Sequence, residues 1–187
     1  MTKKTVNDFT KTYSGIFGNE VVLKSKKGLS TMTIPTKLPE KDPTLVQNHK
    51  RDQFVLASKY AKHVLQNPDL LAAYEPKRES ARSMYVMIMA NYMKRPVVVQ
   101  INSDGYHGNP GDLISVSAYD DVKVTGVTLE IIDPDNKVVE EGPCTYNTVT
   151  SDYDYIATSQ VTAKPGMRLR AAVFNIPNHK GTLEVTL

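Results

Sequence analysis

The sequence predicts an α+β protein in which a β-hairpin and a three-helix bundle precede an antiparallel β region. Three observations predict it. Apolar residues recur at helical spacing between Val46 and Met93, and at a spacing of two after Arg95-Pro96. Cap-plus-proline pairs, Asp42-Pro43 and Asn67-Pro68, stand where helices should begin. Charge reverses where the period changes: residues 1–95 hold 17 Lys/Arg against 8 Asp/Glu, a balance of +9, whereas residues 96–187 hold 6 against 12, a balance of −6. The expected domains are therefore 1–95, basic and helical, and 96–187, acidic and β. Halves of opposite charge are suited to different partners, or to each other.

Residues 1–18 read as an arm, and Val21 to Ile34 as a hairpin turning around Lys26, Lys27 and Gly28. Thr36 to Lys41 is a polar linker. In the first helix, Asp42 offers an oxygen to an orphan N–H, and Val46, Phe54, Ala57, Ala61 and Val64 share one face up to about Gln66. Asn67-Pro68 opens a short helix carrying Leu70, Leu71 and Tyr74, which Pro76 stops. Ser80 is placed to cap a third helix, where Met84 to Met89, Tyr92 and Met93 are apolar nearly all round, as in a central buried helix.

Beyond Pro96 the apolar residues alternate in five runs: Val97 to Ile101, Ile114 to Ala118, Val127 to Ile131, Met167 to Val173 and Leu183 to Leu187. Lys137 to Glu141 and Tyr153 to Ala157 bring the count to seven. Ser115, Ser117, Glu130, Arg168, Arg170 and Glu184 occupy the opposite faces, and turn signals such as Asp133-Pro134-Asp135-Asn136 separate the runs. Seven short strands in roughly 90 residues is the spacing of an immunoglobulin-like sandwich. With no Trp and the single Cys144, the expected type is the disulfide-free bacterial one.

Several stretches carry a resemblance. Ser14-Gly15-Ile16-Phe17-Gly18-Asn19-Glu20-Val21-Val22 precedes a Lys/Gly turn; Phe54 and Ala57 to Leu65 precede Asn67-Pro68-Asp69 and Tyr74; Gly111-Asp112 and Asp120-Asp121 precede Glu140-Glu141-Gly142. Together they resemble a group of small proteins from Bacteroidota-type bacteria that pair a helical N-terminal region with a bacterial immunoglobulin-like domain. The resemblance implies that architecture and carries over no catalytic residue.

Chemistry finds little purchase in the sequence. His49, His63, His107 and His179 are far apart and lack metal-ligand spacing, so they read as structural. Cys144 has no neighbouring histidine to activate it. The glycine-rich stretch Gly105 to Asp112 lacks the Lys-Ser/Thr ending of a phosphate loop, and a calcium loop opening at Asp133 would place Val138 and Cys144 where Gly and Glu are needed. Asp104, Asp112, Asp120 and Asp121 read as turn formers, with a cation site at one end of the sandwich as the lesser alternative. The expectation is therefore no enzyme, no metal, no cofactor and no small-molecule substrate.

Surfaces remain. On the first helix Arg51, Lys59 and Lys62 lie opposite Phe54, Ala57 and Val64, and Lys24, Lys26 and Lys27 sit near the hairpin turn, with Lys3, Lys4 and Lys11 on the arm. These are candidate partner or phosphate contacts, set against the need of any helix for a solvated face. The leading expectation is a structural protein that assembles with a protein partner or with itself. The alternative is sequence-neutral nucleic-acid binding through the basic half. Met1 to Ser14 interleaves Lys3, Lys4, Asp8 and Lys11 with polar residues rather than forming a signal-peptide core, and no run of roughly 18 apolar residues exists to enter a membrane. The expected location is cytoplasmic, as in a particle assembled there.

Overall fold

The computed structural model describes residues 14–18, 20–26, 29–35, 42–78, 82–162 and 165–187, without the side chains of residues 25, 26, 29 and 30. The chain divides after Thr44 into two units, Met1–Thr44 and Leu45–Leu187. The second unit thus spans Arg95, where charge and period change.

In the first unit, β1 (Gly15–Phe17), β2 (Val21–Lys26) and β3 (Leu29–Thr33) form an antiparallel sheet in the order β1-β2-β3. The expected hairpin is β2 with β3, where Lys26 pairs with Leu29. The third strand was missed: Gly15 to Phe17, read as part of the arm, pairs with Val21 to Leu23. A three-residue strand is too short to establish a period, and its pairing comes from a neighbour rather than from its own pattern. The remaining arm residues up to 13, with Lys3, Lys4 and Lys11, lie outside the described residues.

The second unit opens with α1 (Leu45–Gln66), α2 (Pro68–Ala72) and α3 (Met84–Met93). Asn67 caps α2 as expected, its Oδ1 accepting the N–H of Asp69 at 3.1 Å and of Leu70 at 3.3 Å. A single 3-10 turn at Glu75–Lys77 follows around Pro76. The cap of α3 is Ser83, whose Oγ accepts Val86 N–H at 3.4 Å; Ser80 lies outside the described residues.

Ala57, Ala61 and Val64 of α1 pack with Tyr74 and with Met87, Ile88 and Met89 of α3. Two expectations need correction. Val46 and Phe54 are 70% and 56% exposed, although they lie on the meridian of Ala57. Length accounts for this: at 1.5 Å per residue α1 is about 33 Å long and α3 about 15 Å, so α3 is too short to cover every turn of α1. Nor is α3 buried all round, because Val86 and Met93 are exposed; α1 packs against both α2 and α3, and a solvent side is left to α3.

Beyond α3 come β4 (Val97–Asn102), β5 (Leu113–Tyr119), β6 (Val124–Ile132), β7 (Val138–Pro143), β8 (Thr145–Tyr146), β9 (Tyr153–Ile156), β10 (Arg168–Asn175) and β11 (Lys180–Thr186). They form two antiparallel sheets, β4-β5-β9-β8 and β11-β10-β6-β7. Each of the seven expected runs carries a strand, and the eighth is the two-residue β8. Val98, Ile101, Ile114, Val116 and Tyr155 of one sheet share a core with Val127, Leu129, Ile131, Leu169, Ala171 and Val173 of the other. The alternation read in the sequence is thus the alternation of burial along β6 and β10. Outside, Arg170 bridges Glu184 and Glu130 across three strands.

The helices are joined to the sheets by a polar knot. Asp120, after β5, accepts from Asn91 Nδ2 at 2.9 Å, Asn175 Nδ2 at 3.0 Å, Val122 N at 2.9 Å and Lys123 N at 3.1 Å. Asn91 and Asn175 are each 1% exposed, and the Asn91 oxygen accepts from Tyr74. Val122 completes the helical core, with Ile176 against it. These contacts cross Arg95.

Candidate interaction surface

The overhang of α1 presents large apolar side chains to solvent. Leu45 is 88% exposed, and Val46, Phe54, Val55 and Leu56 are all at least 49% exposed. A helix propagates beyond its packing partner because each added residue contributes one more backbone hydrogen bond, whatever its side chain touches. In the first unit Ile16, Phe17, Met32 and Ile34 are likewise exposed, and none of its described residues is buried. Three strands ordinarily need an apolar face covered to be stable, so this sheet lacks a core of its own among the described residues.

Arg51, Lys59 and Lys62 are exposed on the outward side of α1, and none has a carboxylate partner among the described residues. The structure therefore brings these three together on one face. Lys24 is exposed in β2 of the first unit; Lys26 ends that strand with its side chain undescribed, and Lys27 lies outside the described residues.

The opposite side of α1 borders a groove of about 230 Å³. His49, Gln53 and Leu56 of α1 face Tyr92 of α3, Arg95 and His179 across it. His179 sits in the turn joining β10 to β11, its backbone N–H donating to Asn175 Oδ1 at 2.9 Å and its ring lying edge-on to Tyr92 with centroids 4.7 Å apart. Tyr92 packs in turn on Tyr60 at 4.9 Å. Sequence reasoning placed the histidines far apart and missed this grouping. Nothing in the sequence joins positions 49, 95 and 179, because their meeting depends on how the β10–β11 turn seats against α3.

The aspartates do not gather. Asp112 accepts the backbone N–H groups of His107 at 2.7 Å and Asn109 at 2.8 Å, and these bonds hold its carboxyl below the ordinary range. Asp120 forms the knot described above, and Asp121 pairs with Lys94. Strand β5, seven residues and about 23 Å long, separates Asp112 from Asp120. Asp133 Oδ1 accepts the N–H groups of Asp135 and Lys137, both at 2.9 Å, which makes that stretch a hairpin turn. Among the described residues no group of three His, Cys, Asp or Glu is placed to hold a metal ion.

Burial and the neighbouring Asp154 push the Cys144 thiol up to about 12, so the thiolate is not populated near neutrality. Glu140, 7% exposed, is the one buried acid among the described residues. It accepts from Tyr155 Oη at 2.8 Å, Thr158 N at 2.6 Å, Thr158 Oγ1 at 2.8 Å and Ser159 N at 3.3 Å. Gly142 lets Tyr155 come in this close, since a Cβ there would stand 2.9 Å from its ring. This constellation ties a loop to an edge strand. No described helix is long and apolar enough to cross a membrane. Compared with known proteins, the chain matches no family model and no curated protein.

Proposed function

We propose that the protein is a non-catalytic assembly component whose copies meet through the overhanging part of α1. The observation that carries this reading is the exposure of large apolar side chains at two places on α1, Leu45 with Val46 at its start and Phe54, Val55 and Leu56 about two turns further on. Complete burial of a large apolar side chain is worth about 1.5–3 kcal/mol, so the two or three that one face of α1 can bring to a contact offer roughly 3–9 kcal/mol. Association costs about as much, so the contact is weak and depends on concentration. The sequence's charge split supplies complementary surfaces, which steer the contact more than they hold it.

We read the two sheets as an immunoglobulin-like sandwich of the disulfide-free type. What supports this is the strand order, in which β4-β5-β9-β8 follows the A-B-E-D arrangement and β11-β10-β6 the G-F-C arrangement, with β7 added beside it. The proposed kinship with the Bacteroidota-type proteins rests on the same two-part plan. A second reading, sequence-neutral phosphate contact, is favoured by the exposed stripe Arg51, Lys59 and Lys62, which has no carboxylate partner among the described residues.

The test is sedimentation of the protein beside a Phe54→Ser, Leu56→Ser double variant. The wild type is expected to gain mass as concentration rises, and the variant to stay at monomer mass with an unchanged melting temperature. Equal self-association of the two would overturn the role given to α1.

A further inference from the structure

We propose that the groove between α1, α3 and the β10–β11 turn binds a phosphate group. The polar side chains that line it are His49, Gln53, Tyr92, Arg95 and His179, and none of them is a carboxylate. Arg95 is permanently charged, and it has no acidic partner among the described residues. Gln53 receives Lys50 Nζ on its amide oxygen at 3.2 Å, which brings a second charge to the rim and leaves the amide N–H groups free to donate. His179 has its Nδ1 sealed from solvent with no partner. A buried nitrogen with no acceptor in reach is best left unprotonated, and the ring proton then resides on Nε2 as a donor.

Donors therefore line the groove from α1, from Arg95 two residues before β4, and from the β10–β11 turn. Bringing uncompensated positive and donor groups together is unfavourable unless an anion shares the site. Donors on several sides suit a tetrahedral oxyanion, with three or four acceptor oxygens, better than a planar carboxylate with two. A volume of about 230 Å³ admits such a group with room to spare, so the donors rather than the size of the groove make the match. The walls are set beforehand: Tyr92 is held between Tyr60 and His179, and His179 is fixed through Asn175 to the Asp120 knot. Prior ordering of this kind lowers the entropy lost on binding. The site is independent of the basic stripe, because His49 and Arg51 are two residues apart and so point to nearly opposite sides of α1.

The experiment is a titration of the full chain with inorganic phosphate at constant ionic strength, following the four histidine side chains by NMR. His49 and His179 are expected to shift along a saturable curve while His63 and His107, outside the groove, stay in place. Arg95→Gln should weaken phosphate binding by about ten-fold or more without changing the melting temperature, as removal of a charged hydrogen bond from an exposed side chain would. His49→Asn, also exposed, should weaken it independently, and chloride at matched ionic strength should move neither histidine. Parallel, unsaturable drift of all four histidines, or unchanged affinity in both variants, would overturn the proposal.

Discussion

At the scale of single residues, the strongest constraints are two carboxylates satisfied by many donors. Asp120 accepts four hydrogen bonds and so fixes Asn91, Asn175 and the backbone after β5 in one arrangement. Glu140 does the same for the segment Tyr155 to Ser159. Burial pushes the Glu140 carboxyl up, but the bonds from Thr158, Tyr155 and Ser159 together outweigh it and hold the group below its ordinary value of 4.5. A depressed native value means stability that is fully present above about pH 4.5 and is lost as pH falls through the native value. Glu140→Gln should cost about 2 kcal/mol at pH 7, since the charge-assisted bonds go while the donors stay buried. The same variant should lose less stability than wild type between pH 5 and pH 3, which urea unfolding across that range measures; parallel curves would remove Glu140 from the acid response. The sequence showed Glu140 only as part of Glu140-Glu141-Gly142 and gave no sign of its burial, because its partners are 15 to 19 positions away.

At the scale of elements, legibility followed how local the cause was. Asn67 and Pro68 cap α2 through neighbouring atoms, and the alternation in β6 and β10 reports a two-sided burial that repeats along the strand; both were readable. The exposure of Phe54 was not, because its position on the α1 wheel is that of a core residue and only the shorter α3 leaves it uncovered. The basic stripe was placed on the outward face by the same wheel, and Arg51, Lys59 and Lys62 are exposed there. The groove at His49, Arg95 and His179 was invisible, since three distant positions meet only through packing. Two substitutions separate core from surface on these helices. Ile88→Asp, at a fully buried position of α3, should lower stability by about 4 kcal/mol or more, because a charge there has neither water nor partner. Arg51→Glu should stay within about 0.5 kcal/mol of wild type. Denaturant melts of the two beside the parent check this, and equal effects would contradict the packing of α3.

At the scale of the molecule, charge and compactness draw different boundaries. Charge reverses after Arg95, whereas the units part after Thr44, because Tyr74, Asn91 and Val122 connect helices and sheets across the charge boundary. Residues 1–44 hold 8 Lys/Arg against 4 Asp/Glu, and residues 45–187 hold 15 against 16. The net positive charge thus belongs to the first unit, the one whose described residues include none that is buried. A sheet with no buried residue among those described, and a helix that exposes Leu45, Val46, Phe54, Val55 and Leu56, suit the proposed assembly, in which burial would be completed between copies. Light scattering of the full chain across protein concentration, salt, and the presence or absence of nucleic acid measures whether copies associate. If copies meet through α1, particle mass grows with concentration in the absence of nucleic acid, with growth slowed but not abolished by salt, because burial of apolar surface holds the contact and charge only steers it. A monomer at every concentration, binding nucleic acid with an affinity that falls steeply as salt rises, would contradict it.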